Sequence, residues 1–125
     1  MKGLPLILWI AAIISALIGM AWGIQMSASG DHSLSPAHAH LNLLGWVSLA
    51  LFGAYYHLVP TAAQGILAKV QAGVAVLGVI TIVPGIVQAV TGAGEGLAKI
   101  GSVLTILSML LFLVVVLTSR SRAAA

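Results

Sequence analysis

Four long apolar segments constrain what this chain of 125 residues can fold into. An apolar helix of about 20 residues crosses the hydrocarbon core of a bilayer. The segments of this kind are residues 4–26, 37–59, 67–90 and 100–117. The connections between them are short, so neighbouring helices are expected to run antiparallel. The sequence therefore predicts an all-α membrane protein with a single four-helix transmembrane unit over residues 1–125, in which residues 119–125 form a tail.

Composition supports a lipid environment and excludes several classes of function. Hydrophobic residues make up 61% of the chain and charged residues only 6%, so lipid is the natural solvent for its surface. The absence of cysteine excludes disulfides and thiolate metal sites. The few basic residues form no patch or stripe, so nucleic-acid binding is not expected. No small-x-small cleavage site ends the first segment, which we therefore interpret as a retained helix rather than a signal peptide.

The cationic side chains predict the orientation of the chain in the membrane. Four of them (Lys2, Lys69, Arg120 and Arg122) fall on one side, whereas Lys99 falls on the other. Because cytoplasmic loops carry an excess of Lys and Arg, both termini are expected to be cytoplasmic. Three histidines, at positions 32, 38 and 40, then lie at the outer face and the fourth lies near the inner face.

The histidines of the second segment are the strongest candidates for chemistry. An imidazole in or near hydrocarbon is costly unless it is paired or ligated. His38 and His40 are two residues apart, so on a regular α-helix their rings diverge by about 200° and cannot easily bind one ion. Such a pair suits two separate sites on opposite flanks of one helix. His57 lies about 25 Å further along the helix axis, and its role stays open.

The stretch "HAHLNLLGWVSLALFGAYYHLVP" resembles the helix of heme-copper oxidase catalytic subunits that carries the paired heme ligands. His38, His40, Gly53, His57 and Pro60 match the H-x-H, glycine, histidine and proline of that helix without a gap.

The same stretch is similar to the second helix of nitric oxide reductase catalytic subunits. The histidine at position 40, the asparagine at position 42, the tyrosine pair and the Leu-Val-Pro ending match it when one residue is skipped.

The resemblance implies a small four-helix relative that corresponds to one arc of the twelve-helix oxidase subunit. By position, His38 would resemble the ligand of the high-spin heme and His40 the ligand of the low-spin heme. Three arcs make up the family's subunit, so the resemblance implies a homotrimer with heme b held near the outer face, between subunits. We expect electron transfer or gas or redox sensing, with a redox partner protein or a quinone, in the inner or plasma membrane of a bacterium or archaeon.

Other residues are candidates for the surroundings of such a cofactor. Trp22 and Trp46 lie near the level of the histidines in the predicted spans and are candidates for the walls of the pocket, although interface anchoring is the commoner role. Lys99 is a candidate partner for the heme propionates, although a surface ion pair with Glu95 is the simpler interpretation. His32 is a further candidate metal ligand, because Asp31 could orient it.

Departures from the oxidase pattern leave two alternatives open. The chain lacks an adjacent histidine pair, a histidine at helical spacing from a tyrosine, and carboxylates within the spans. Oxygen reduction by this chain alone is therefore not expected. One alternative is a copper or other transition-metal site without heme, made by His38 or His40 from three copies around an axis. The other is an accessory or assembly subunit without a cofactor.

Overall fold

The computed structural model describes residues 1–124 of the protein, with side chains through Arg120. Four helical spans run through the chain, and no strand occurs in this part of it. The spans are long and apolar enough to cross a membrane: Gly3–Ser29, Ser35–Leu58, Ile66–Val90 and Gly96–Arg120. The prediction of an all-α protein with four such helices is confirmed.

The helical elements divide as follows. They are α1 (Gly3–Ser29), α2 (Ser35–His40), a π-helical segment (Leu41–Ser48), α3 (Leu49–Leu58), α4 (Pro60–Ala63), α5 (Ile66–Val90) and α6 (Gly96–Ala124). We call the continuous run of α2, the π-helical segment and α3 the second span. The tail predicted for residues 119–125 belongs to α6 as far as Ala124, and residue 125 lies outside the described residues.

Glycine and proline set the ends of the first two spans. Helix α1 ends at Gly30, which adopts a left-handed conformation (φ 71°) and donates its N–H to the Met26 carbonyl. Pro36 lies in the first turn of α2, where its missing N–H costs nothing. Leu34 holds the N-cap position of this helix, and the Ser35 hydroxyl donates to the His32 carbonyl at 2.7 Å.

The π-helical segment is the irregular part of the second span. Its backbone hydrogen bonds join residues five apart, which is rare and frequently occurs at functional sites. The hydroxyl of Ser48 follows the same wide turn, because it donates to the carbonyl of Leu43, five residues earlier, at 2.8 Å. Elsewhere on the spans, as at Ser15 and Thr81, a hydroxyl reaches back only three or four residues. The segment begins directly after His40.

Small residues bring α1 and the second span into close antiparallel contact. A Cβ added at Gly45 would lie 2.7 Å from the hydroxyl of Ser15, and one added at Gly53 would lie 2.7 Å from the ring of Trp9. Lipid supplies no hydrophobic force between helices, so such close packing provides much of the attraction.

Helices α5 and α6 pair in the same way. A Cβ added at Gly101 would lie 2.5 Å from Cα of Ile82, and a Cβ added at Gly85 would come just as close to the backbone of Ala98. On α5 the buried positions recur every three or four residues: Ala68, Gln71, Ala72, Ala75, Gly78, Val79, Ile82 and Gly85. This spacing places small side chains along one face, where they allow the two backbones to approach.

A polar cluster joins the second span to α5 and α6. Tyr56 and Gln71 are both fully buried, with an exposed fraction of 0%. The Tyr56 hydroxyl donates to Oε1 of Gln71 at 2.8 Å, and Nε2 of Gln71 donates to the carbonyl of Ser108 at 3.3 Å. Each buried polar atom of the pair therefore has a partner, as the membrane interior requires.

The charged side chains divide between the two ends of the helices. We call the end that carries Lys2, Lys69 and Arg120 the basic end. The opposite end carries Lys99 and both acidic residues of the chain, Asp31 and Glu95. Between the ends, α1 and α6 present apolar side chains outward, as a lipid-facing surface does.

Candidate functional site

His40 lies in the last turn of α2 and is held there by its own helix. Its Nδ1 lies 2.7 Å from the carbonyl oxygen of Pro36, one turn earlier, and donates to it as an N–H. The other nitrogen, Nε2, is then the basic one. The side chain is half-exposed on the surface of the four-helix unit. A backbone carbonyl that fixes the Nδ1 proton is the usual way in which a protein orients a metal-binding imidazole.

His38 lies in the contact between α2 and α1. Its Nε2 lies 3.0 Å from the carbonyl oxygen of Gly19 and 3.2 Å from the amide nitrogen of Asn42. When Nε2 carries the proton it donates to Gly19, and when it does not, the Asn42 amide donates to it. A Cβ added at Gly23 would lie only 3.3 Å from this nitrogen. The imidazole of His38 therefore ties two helices together.

The rings of His38 and His40 have different hydrogen-bond partners. His38 reaches across to α1, whereas His40 bonds only within α2. Among the described residues, no group of three or more His, Asp or Glu side chains comes together to hold a metal ion.

His32 lies in the exposed loop between α1 and α2. Its Nδ1 lies 3.2 Å from the Gly30 carbonyl. The neighbouring Asp31 accepts a hydrogen bond from the backbone N–H of Ser33 at 3.0 Å, and this bond, followed by one from the Ser33 hydroxyl, lowers the pKa of Asp31 below its usual 3.8. The carboxylate of Asp31 is thus used in the turn of the loop.

Of the two tryptophans proposed as pocket walls, one lies beside a histidine. Trp22 packs edge-on against the ring of His38, with the ring centroids 6.1 Å apart. It also lines an apolar groove of about 390 Å³ between α1, the second span and α5. Trp46 instead packs against Trp9, at 6.3 Å, on the side toward the basic end. The indole N–H of Trp9 is buried and has no hydrogen-bond partner among the described residues.

Lys99 forms the ion pair that its spacing predicts. Its Nζ lies 3.5 Å from a carboxylate oxygen of Glu95, and the two side chains are 75% and 70% exposed. Such a pair contributes only a few tenths of a kcal/mol. The pairing leaves a role for Lys99 toward heme propionates as a hypothesis.

His57 lies at the basic end, away from the other histidines. Its side chain is exposed and lines a cavity of about 530 Å³ together with the start of α1 and with α4. The sequence alone did not predict that His57 would line a cavity.

Two glycines of α1 shape the site, and the sequence did not show which side chains fill the space beside them. Gly19 leaves the space that the Asn42 amide fills, and Gly23 leaves the space beside the ring of His38. The sequence did contain a signal for this contact. Gly19 and Gly23 are four residues apart on one helix, and His38 and Asn42 are four residues apart on the next. When the two helices run antiparallel, equal spacings bring Gly19 beside Asn42 and Gly23 beside His38.

Comparisons with known proteins do not identify a family. No protein-family model, no curated protein and no solved structure matches the chain. The resemblance to heme-copper oxidases therefore rests on the residues of the second span alone.

Proposed function

We propose that this protein is a b-type heme protein of the membrane, with His40 as an axial ligand. A heme held by imidazole supplies one-electron transfer and, where one iron face is open, binding of small gases. The protein then serves electron transfer or gas or redox sensing in its membrane, with its termini on the cytoplasmic side.

The hydrogen bond from His40 to Pro36 carries this proposal. It fixes the Nδ1 proton on a backbone carbonyl and presents a basic Nε2 on a half-exposed surface. His38 is the weaker candidate, because its Nε2 is already in hydrogen-bond contact with Gly19 and Asn42. The ligand role is therefore assigned to His40, and His38 is assigned the packing of α2 against α1.

A second copy of the chain supplies the opposite ligand or the opposite wall. His40 lies on the outside of the four-helix unit, so a flat cofactor bound to it lies between this surface and a neighbour. Closed cyclic assembly brings identical ligands together. The three arcs of the oxidase family favour a trimer.

Optical spectra of the detergent-solubilised protein, oxidised and reduced, test the proposal together with metal analysis. We expect a Soret band and iron in the preparation, and the loss of both in His40→Ala. His57→Ala is the matched control, since it removes an imidazole from the same span at the other end, and its spectrum should equal that of the wild type. A Soret band that survives His40→Ala overturns the assignment of the ligand.

The same measurements distinguish the other two functions. A colourless preparation that contains copper, lost in His40→Ala, supports the alternative of three imidazoles around an axis. A preparation without metal or heme, even after reconstitution with hemin, supports an accessory subunit and contradicts the proposal.

The assembly has its own test in native mass spectrometry from a mild detergent. A threefold species that loses its cofactor when it dissociates is the expected result. A monomer that keeps full occupancy contradicts ligation between subunits.

A further inference from the structure

The cavity at the basic end is not used by the proposed heme site. It has a volume of about 530 Å³, within the range of about 300–1,000 Å³ that is usual for ligand sites. Its walls come from the start of α1, the end of α3, and α4 with the residue that follows it. Because these are the ends of membrane-spanning helices, the cavity lies where lipid headgroups are expected.

The lining of this cavity combines side chains that can bind an anion with a larger apolar wall. Lys2 and His57 supply nitrogen donors, and the side chain of Gln64 supplies an amide. Gly3 and Leu4, at the start of α1, line the same wall, and this helix start has no side-chain cap. Most of the remaining wall is apolar.

The charged side chains described at this end of the helices are basic, which favours an anion in the cavity. Lys69 and Arg120 lie at the same end, while both acidic side chains of the chain, Asp31 and Glu95, lie at the opposite end. Basic residues next to a membrane attract anionic lipids, each by about 1 kcal/mol.

We propose that this cavity binds the phosphodiester headgroup of an anionic phospholipid, with Lys2 and His57 as the contacting side chains. The headgroup occupies the polar wall and the glycerol end of the acyl chains lies along the apolar wall. A lipid is favoured over free phosphate because the cavity lies at the ends of apolar spans and is itself largely apolar.

Native mass spectrometry during titration with phosphatidylglycerol tests this site, and Lys69→Ala is the matched control. Lys69 is a lysine at the same end that does not line the cavity. We expect Lys2→Ala and His57→Ala each to weaken retention of phosphatidylglycerol about fivefold. Lys69→Ala should leave it within about twofold, because it adds only to the general surface charge.

Three results would overturn the proposal. One is an equal loss in Lys69→Ala, which would show attraction by net charge rather than a site. Another is equal retention of phosphatidylcholine, and the third is displacement of the lipid by millimolar inorganic phosphate. Should Lys2→Ala fold poorly, Lys2→Gln repeats the test. It removes the charge of a residue that precedes the first helix and keeps a side chain of similar size. None of these measurements depends on heme, so the proposal of a lipid site and the proposal of a heme site are tested independently.

Discussion

Nε2 of His38 lies 3.0 Å from the carbonyl oxygen of Gly19, on the helix that runs antiparallel to its own. An imidazole at the end of an apolar span thus has a hydrogen-bond partner within the protein. In a membrane this matters, because an unpaired polar group has little water to bond with. The geometry makes His38 part of the packing between α1 and the second span, and it separates the roles of the two neighbouring histidines.

Replacing His38 by alanine should destabilise the protein even when no cofactor is present. The contact with Gly19 is lost, which costs about 1 kcal/mol for a hydrogen bond of this kind. Unfolding of the detergent-solubilised protein by sodium dodecyl sulfate, followed by circular dichroism, measures the effect. His57→Ala serves as the control, because that side chain is exposed and should change the free energy of unfolding little. Equal effects of the two substitutions would contradict the packing role.

A glycine-to-alanine pair tests the close approach of α5 and α6. Gly101→Ala would place a methyl group 2.5 Å from Cα of Ile82, and overpacking against backbone costs about 1–3 kcal/mol. Gly73→Ala meets no atom within 4 Å, so it should leave the protein unchanged or slightly more stable, since alanine favours helix. Thermal unfolding of both variants decides the matter. A Gly101→Ala protein as stable as Gly73→Ala would show that the two helices are further apart than described.

The buried pair of Tyr56 and Gln71 should show strong coupling. Tyr56→Phe leaves Oε1 of Gln71 without its partner in a fully buried place, which costs about 1–3 kcal/mol. Adding Gln71→Leu removes the unpaired amide, so the double variant should be less destabilised than the sum of the two single variants. Unfolding free energies of the four proteins form the double-mutant cycle. Simple additivity would argue against the hydrogen bond.

Acid should open the turn between α1 and α2. The Ser33 N–H, and after it the Ser33 hydroxyl, stabilise the ionised form of Asp31 and lower its pKa below 3.8. A lowered pKa means that the interaction is present above 3.8 and is lost as the pH falls through the lower value. The amide proton resonance of Ser33 should therefore shift only in that acidic range. In Asp31→Ala the shift should be absent, and a transition centred above 3.8 would contradict the hydrogen bond.

The four spans could be predicted because hydrophobic length is a strong signal. Each helix of the structure covers its predicted apolar segment, apart from Val59, the last residue of the second segment. The ion pair of Glu95 and Lys99 follows directly from their helical spacing. The orientation of His40 could not be predicted, because it depends on the rotamer that brings its ring back to the Pro36 carbonyl.

The π-helical segment and the position of Trp46 escaped prediction for a related reason. Apolar residues in a membrane helix show little periodicity, so the sequence does not distinguish a π-helical turn from an α-helical one. Trp46 was placed near the histidines by its position along the span alone, yet its ring lies against Trp9. The reach of a large side chain depends on which rotamer its neighbours leave free.

The π-helical segment has a consequence for comparing this helix with others. A helix that takes one additional residue without moving its ends must widen a turn, so a wide turn is the place where an insertion is absorbed. Leu41–Ser48 lies between His40 and His57, so these two histidines are related by fewer helical turns than a regular α-helix of the same length would give. An alignment that assumes a regular helix therefore assigns the wrong relative direction to these two side chains.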